Sequence, residues 1–125
     1  MRYTLLLHYQ EMTPDELGAE VLEQGQAAMA SYAATLQQAG VLLGAEVLQP
    51  SHASTTVSRR EGKLRIQDGA FADTREQLGG YFVLDVADLD EAIHWAGQAP
   101  GADWGSVEIR PGAVHTVDGV WTPNA

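Results

Sequence analysis

Three segments of this chain read as strands in which both alternating sets of side chains are largely apolar. In Leu78–Val86, the set Leu78, Gly80, Phe82, Leu84 and Val86 alternates with Gly79, Tyr81, Val83 and Asp85. In Arg2–Tyr9, Tyr3, Leu5, Leu7 and Tyr9 alternate with Leu6 and His8. In Val41–Leu48, Val41, Leu43, Ala45 and Val47 oppose Leu42, Gly44, Glu46 and Leu48. Successive side chains of a strand point to opposite faces. An antiparallel sheet with one wet face alternates more cleanly than this. A sheet built from these strands therefore needs cover on both sides.

The rest of the chain supplies cover for one side only. Thr13-Pro14-Asp15-Glu16 is a helix start, with Thr13 as cap, Pro14 at the first helical position and Glu16 completing a capping box. Leu17, Val21, Ala28, Tyr32, Leu36 and Ala39 form an apolar stripe, interrupted by Gly25, and Gly40 is the expected stop. Asp88 to Glu91 starts a second helix, which Pro100-Gly101 ends. Thr55–Arg59 and Lys63–Ile66 flank Glu61-Gly62 as a hairpin. Gly105–Arg110 is a last strand, followed by a tail with an Asp118-Gly119 turn and a small hairpin around Val114 and Val120.

The order is thus β-α-β, a hairpin insertion, then β-α-β, in one domain over residues 1–125. Without the insertion this is the ferredoxin-like βαββαβ order, an α+β fold with both helices on one face of an antiparallel sheet. A second copy packed sheet to sheet is the simplest cover for the other face, which predicts a homodimer, a dimeric α+β barrel. The alternative is that the inserted hairpin and the tail fold over that face.

Composition removes several functions. The 17 acidic and 7 basic residues give a net charge of −10, so a phosphate backbone is repelled and nucleic acid is not an expected partner. No apolar run approaches the roughly 20 residues that cross a bilayer, and the N-terminal stretch lacks a signal-peptide pattern; the expectation is a cytoplasmic protein with no membrane partner. Absence of cysteine excludes disulfides and thiolate chemistry. His52, His94 and His115 show no ligand spacing, so no metal is expected. No nucleotide-binding glycine loop or nucleophile elbow is present, and no cofactor is expected. Trp95, Trp104 and Trp121 read as packing residues.

The stretch Asp68-Gly69-Ala70-Phe71-Ala72-Asp73-Thr74-Arg75-Glu76-Gln77-Leu78-Gly79-Gly80-Tyr81 joins a turn signal, an aromatic, a basic–acidic pair and a double glycine. It resembles the DGPF-domain branch of the YCII-related proteins, with Ala70 where that pattern has proline. Gly40–Pro50, Asp88–Ala92 with Trp95-Ala96, and Val107–Pro111 are similar to the branch's second strand, second helix and closing strand. The resemblance implies a ferredoxin-like subunit that dimerises into an α+β barrel. It also implies either a small-molecule enzyme with an Asp and a His at a cleft, or a non-catalytic companion of an extracytoplasmic-function sigma factor.

Candidate site residues follow from both readings. Asp68 is a candidate general acid/base at a cleft near the dimer interface; the alternative is an Asx-turn before Gly69. His8 is a candidate proton-transfer partner, or a hydrogen-bonded buried histidine. Arg75 and Arg110 are candidate anion anchors, and Glu76 and Tyr81 complete the ligand-binding set. Arg75 and Glu76 also read as a partly exposed ion pair. The expected ligand is a small molecule.

Overall fold

A computed structural model describes residues 1–124. Eight strands and three helices follow the expected order. Strands β1 (Arg2–Tyr9), β2 (Leu42–Val47), β5 (Gln77–Asp85) and β6 (Gly105–Pro111) form one sheet in the order β2-β5-β1-β6. All of its pairings are antiparallel. Strands β3 (Thr55–Arg60) and β4 (Lys63–Asp68) make a separate hairpin, as do β7 (Val114–Val117) and β8 (Val120–Pro123). Both hairpins turn on two residues with positive φ, Glu61-Gly62 and Asp118-Gly119. This geometry matches the right-handed twist of the flanking strands.

The first helical region divides at Gly18, whose φ of 84° no β-carbon residue adopts readily. Before it lies α1 (Pro14–Leu17), with the Thr13–Glu16 capping box formed. After it, α2 (Ala19–Gln38) runs unbroken through Gly25 and stops before Gly40, at φ 74°. Only Tyr32 and Leu36 of α2 are buried. Val21 is exposed, so the expected stripe reaches the core through its C-terminal half alone. Helix α3 (Leu89–Ala96) starts at Asp88, whose carboxylate accepts from the Glu91 amide at 2.9 Å. It buries Ala92 and Ala96.

The core lies between the helices and one sheet face. Tyr3, Leu5 and Leu7 of β1 meet Phe82 and Leu84 of β5 beneath Tyr32 and Leu36. Tyr32 stands edge-on to Phe82 at 5.1 Å, and its hydroxyl donates to the Trp95 carbonyl at 2.8 Å. Burial pushes the Tyr32 phenol up to about 12.

Two irregularities shift the expected faces. Leu7 pairs with Gly80 but His8 with Leu78, so Gly79 is an extra residue in β5. This bulge turns Leu78 to the His8 face, away from the set with Phe82 and Leu84. A second shift between Leu42 and Gly44 leaves Leu43 unpaired and places Leu42 opposite Leu84. At Gly79 the Tyr9 ring fills the space a β-carbon would take, and the Tyr9 hydroxyl donates to the Gly79 carbonyl at 3.3 Å. Trp104 stands edge-on to Tyr9 at 5.1 Å.

Neither hairpin is buried against the sheet. Val57, Leu64 and Ile66 of β3–β4 and Val120 and Trp121 of β7–β8 are exposed. Cover of the second sheet face by the chain's own hairpins is therefore not the arrangement adopted. The C-terminal hairpin is tied instead to the start of β1. The Asn124 amide accepts from Arg2 N–H at 2.8 Å and donates to the Arg2 carbonyl at 3.0 Å.

Replacing Gly79 with Ala is expected to displace Tyr9 and cost about 1–3 kcal/mol, the usual range for overpacking. Urea denaturation measures the loss, and a change in Trp104 fluorescence reports the ring movement.

Candidate functional site

The face of the sheet away from the helices carries the polar side chains. Strand register aligns one row across all four strands. Glu46 of β2 lies opposite Tyr81 of β5, Tyr81 opposite Leu6 of β1, and Leu6 opposite Glu108 of β6. Thr4 and His8 flank Leu6 on the same face, and Arg110 lies opposite Thr4. Alternation places Glu108 and Arg110 here, while Val107 and Ile109 pack against the core.

Glu108 is the centre of a three-residue cluster. His8 Nε2 lies 3.0 Å from Glu108 Oε1, a diagonal contact between neighbouring strands. Arg110 donates to the other carboxylate oxygen. These two partners hold Glu108 below the usual carboxylate range, Arg110 contributing most and His8 next. A neutral His8 that donates from Nε2 to Glu108 keeps Nδ1 as a free acceptor. The carboxylate thus orients a base, and the guanidinium adds positive charge beside it.

Across the row, hydrogen bonding to the Glu46 carboxylate raises the Tyr81 phenol above its ordinary value, with desolvation and the charge of Glu46 adding. The Tyr81 hydroxyl, a donor or acceptor, thus stands beside a carboxylate.

Arg75 and Glu76 stand at the end of this face. With Gln10, Asp103, Trp104 and Ser106 they line an open cleft of about 350 Å3. Ser106 pairs with His8, so the cleft begins where the His8 row ends. No Arg75–Glu76 ion pair forms among the described residues; the two residues sit at a bend before β5. The loop is held by Thr74, whose hydroxyl donates to the Glu76 carbonyl at 2.6 Å, and by the Gln77 amide.

Asp68 is the last residue of β4, opposite Thr55. Hydrogen bonds surround it through neighbours: Gly69 N–H donates to the Ser54 carbonyl and Thr56 Oγ1 to the Gly69 carbonyl, each at 2.8 Å. Its own carboxylate accepts none among the described residues, so the Asx-turn does not form. Gly69, at φ 101°, makes the turn instead. Within one chain His8 and Arg110 are brought together through Glu108, Tyr81 shares their face, and Arg75 and Glu76 adjoin it. Asp68 stands on the separate hairpin.

Glu108 and Glu46 are the residues that sequence reading passed over. The alternation Val107-Glu108-Ile109-Arg110 carried the signal for Glu108, but its pairing with His8 needs the β1–β6 register.

These features define a mixed α+β domain whose antiparallel sheet displays an acid–base cluster on the face opposite its helices. The chain belongs to the YCII-related family, whose domain model matches residues 1–112. It is 32% identical over 117 residues to the uncharacterised protein R00369 of Rhizobium meliloti (strain 1021), covering 92% of this chain and 94% of that relative. The β7–β8 hairpin lies beyond the matched residues. Among the described residues no helix is long and apolar enough to cross a membrane.

A carboxyl whose folded pKa is depressed stabilises the fold above its unfolded value, and that contribution fades as pH falls through the folded value. Glu108 should therefore titrate below 4.5, its ordinary value. Carboxyl-carbon NMR is expected to show this, and R110A should move the midpoint upward.

Proposed function

We infer that this protein binds a small, weakly acidic organic molecule on the open sheet face and moves a proton there, with His8 as the base. The observation that carries the reading is the Glu108 carboxylate shared by His8 and Arg110. It orients the imidazole and sets a guanidinium beside it to receive the conjugate anion. Tyr81, opposite Glu46, offers a second hydrogen bond to the ligand, and Arg75 and Glu76 bound its entry at the neighbouring cleft.

Such a site works best out of water, and a second copy facing the sheet would exclude it. The order β2-β5-β1-β6, with one face covered by helices, supports a ferredoxin-like subunit that pairs into a dimeric α+β barrel. Asp68 keeps its acid/base role in this reading where pairing brings it to that face. The Asp68–Tyr81 segment supports placement in the DGPF-type branch of the family.

A second reading is a ligand-binding or regulatory accessory protein without chemistry, serving an extracytoplasmic-function sigma factor system. A cleft of about 350 Å3 open to solvent can hold a ligand without excluding water from it.

A ligand-observed NMR screen of small organic acids tests the first reading. Hits are expected to lose binding in R110A. For a compound that turns over, H8Q should lower kcat/KM roughly 10²–10⁴-fold, the usual contribution of a positioned acid–base group. Binding unaffected by both R110A and H8Q removes this face from the function. Light scattering should report a dimer at micromolar concentration.

A further inference from the structure

The cleft at the end of the His8 row holds charge that the fold does not use. Arg75, Glu76 and Asp103 line it, and all three are exposed. Among the described residues none of them joins an ion pair, and none of their side chains hydrogen-bonds to the protein. On the neighbouring row the charged groups are engaged, since Glu108 holds both His8 and Arg110. The cleft thus offers one guanidinium and two carboxylates around about 350 Å3.

Trp104 gives the cleft an aromatic wall. It is 57% exposed, more open than the packing role expected of it. Its position is fixed from one side by the edge-on contact with Tyr9, whose ring lies across Gly79. The next residue, Gly105, pairs with Tyr9 at the start of β6, and a β-carbon there would strike the His8 carbonyl. This close approach ties the Trp104 turn to the strand that carries His8. Ser106, which also lines the cleft, pairs with His8 itself. A held and open indole is a surface for an organic ammonium.

We propose that this cleft binds the head of an amino acid, with the carboxylate on Arg75 and the ammonium against Glu76, Asp103 and the Trp104 indole. The molecule served by His8 is then a zwitterion whose weakly acidic group lies at the far end from that head. This rests on the reading of the His8 face under Proposed function, whose ligand it specifies. A guanidinium matches a carboxylate with two parallel hydrogen bonds, and carboxylates beside an indole match an ammonium. The volume of about 350 Å3 is at the lower end of the about 300–1,000 Å3 of small-molecule sites, which suits a single amino acid. A simple carboxylic acid would bring its anion to Glu76, Asp103 and a chain of net charge −10, and a simple amine would face Arg75. A zwitterion has a partner for each charge and no net repulsion from the chain.

Tyrosine, tyramine and hydroxyphenylpropionate share a weakly acidic phenol and differ in the head, so together they separate its two charges. In ligand-observed NMR titrations the unmodified chain is expected to bind tyrosine about tenfold more tightly than either analogue, the order of one charge-assisted hydrogen bond. R75Q should bring tyrosine down to the affinity of tyramine, and E76Q/D103N should bring it down to that of hydroxyphenylpropionate. Circular dichroism should stay unchanged in both variants, because all three side chains are exposed. Hydroxyphenylpropionate binding as tightly as tyrosine overturns the ammonium site, and tyramine doing so overturns the carboxylate site. A preference for tyrosine that survives both R75Q and E76Q/D103N overturns the cleft as its place. Other small acids that bind and are lost in R110A, with tyrosine not among them, overturn the amino-acid head and leave the His8 reading standing. No binding by tyrosine or by any small acid overturns both.

Discussion

Strand β1 pairs with β5 on one side and with β6 on the other, and this central position gives its alternating side chains two different environments. Tyr3, Leu5 and Leu7 sink into the helix-covered core, where Leu5 is fully buried. Leu6 and His8 are turned the other way. Burial of the first set fixes the register, because a slip of one residue would exchange the faces. The same register decides that Glu108 comes within reach of His8. The hydrophobic core on one face thus holds the acid–base geometry on the other.

Bulging tunes that coupling. The extra residue at Gly79 lets Tyr9 cross the backbone of β5, and it turns Leu78 toward the His8 row. Gly80, next to it, sits where a β-carbon would press on the Glu46 carbonyl, so β2 and β5 approach closely at the point where Glu46 and Tyr81 pair. The double glycine is explained by these two contacts. Bulges at site-bearing strands commonly re-aim a side chain, and here Leu78 is moved from the core set to the rim of the open face.

What the sequence made legible was local. Caps at Thr13 and Asp88, the two-residue turns at Glu61-Gly62 and Asp118-Gly119, and the strand order each depend on residues close in the chain. The faces of Leu78 and Leu43 were misread because alternation assumes an unbroken pleat, and a bulge is set by tertiary contacts such as Tyr9 on Gly79. Val21 was misread for a related reason: helical periodicity gives a stripe, but not how far the sheet extends beneath it. For the site, His8, Tyr81 and Arg110 were legible by residue type and strand position. The groups that engage them, Glu108 and Glu46, were not, since a carboxylate on a strand looks like ordinary surface until its cross-strand neighbour is known.

Electrostatics sets a condition on anything that covers the open face. Two bodies of like charge repel, and only charges within about 8 Å escape screening at physiological salt. Sheet-to-sheet contact alone would bring Glu46 and Glu108 of both copies into one confined space. Arg110 and His8 offset Glu108. Glu46 has the phenol of Tyr81 as companion but no cation among the ion pairs of the described residues. A buried carboxylate without a positive partner is costly. Cover for this face therefore has to bring positive charge with it, together with apolar surface for Leu6 and Val83. The helical half of the molecule, with no lysine or arginine between Tyr3 and Ser58, cannot bring it.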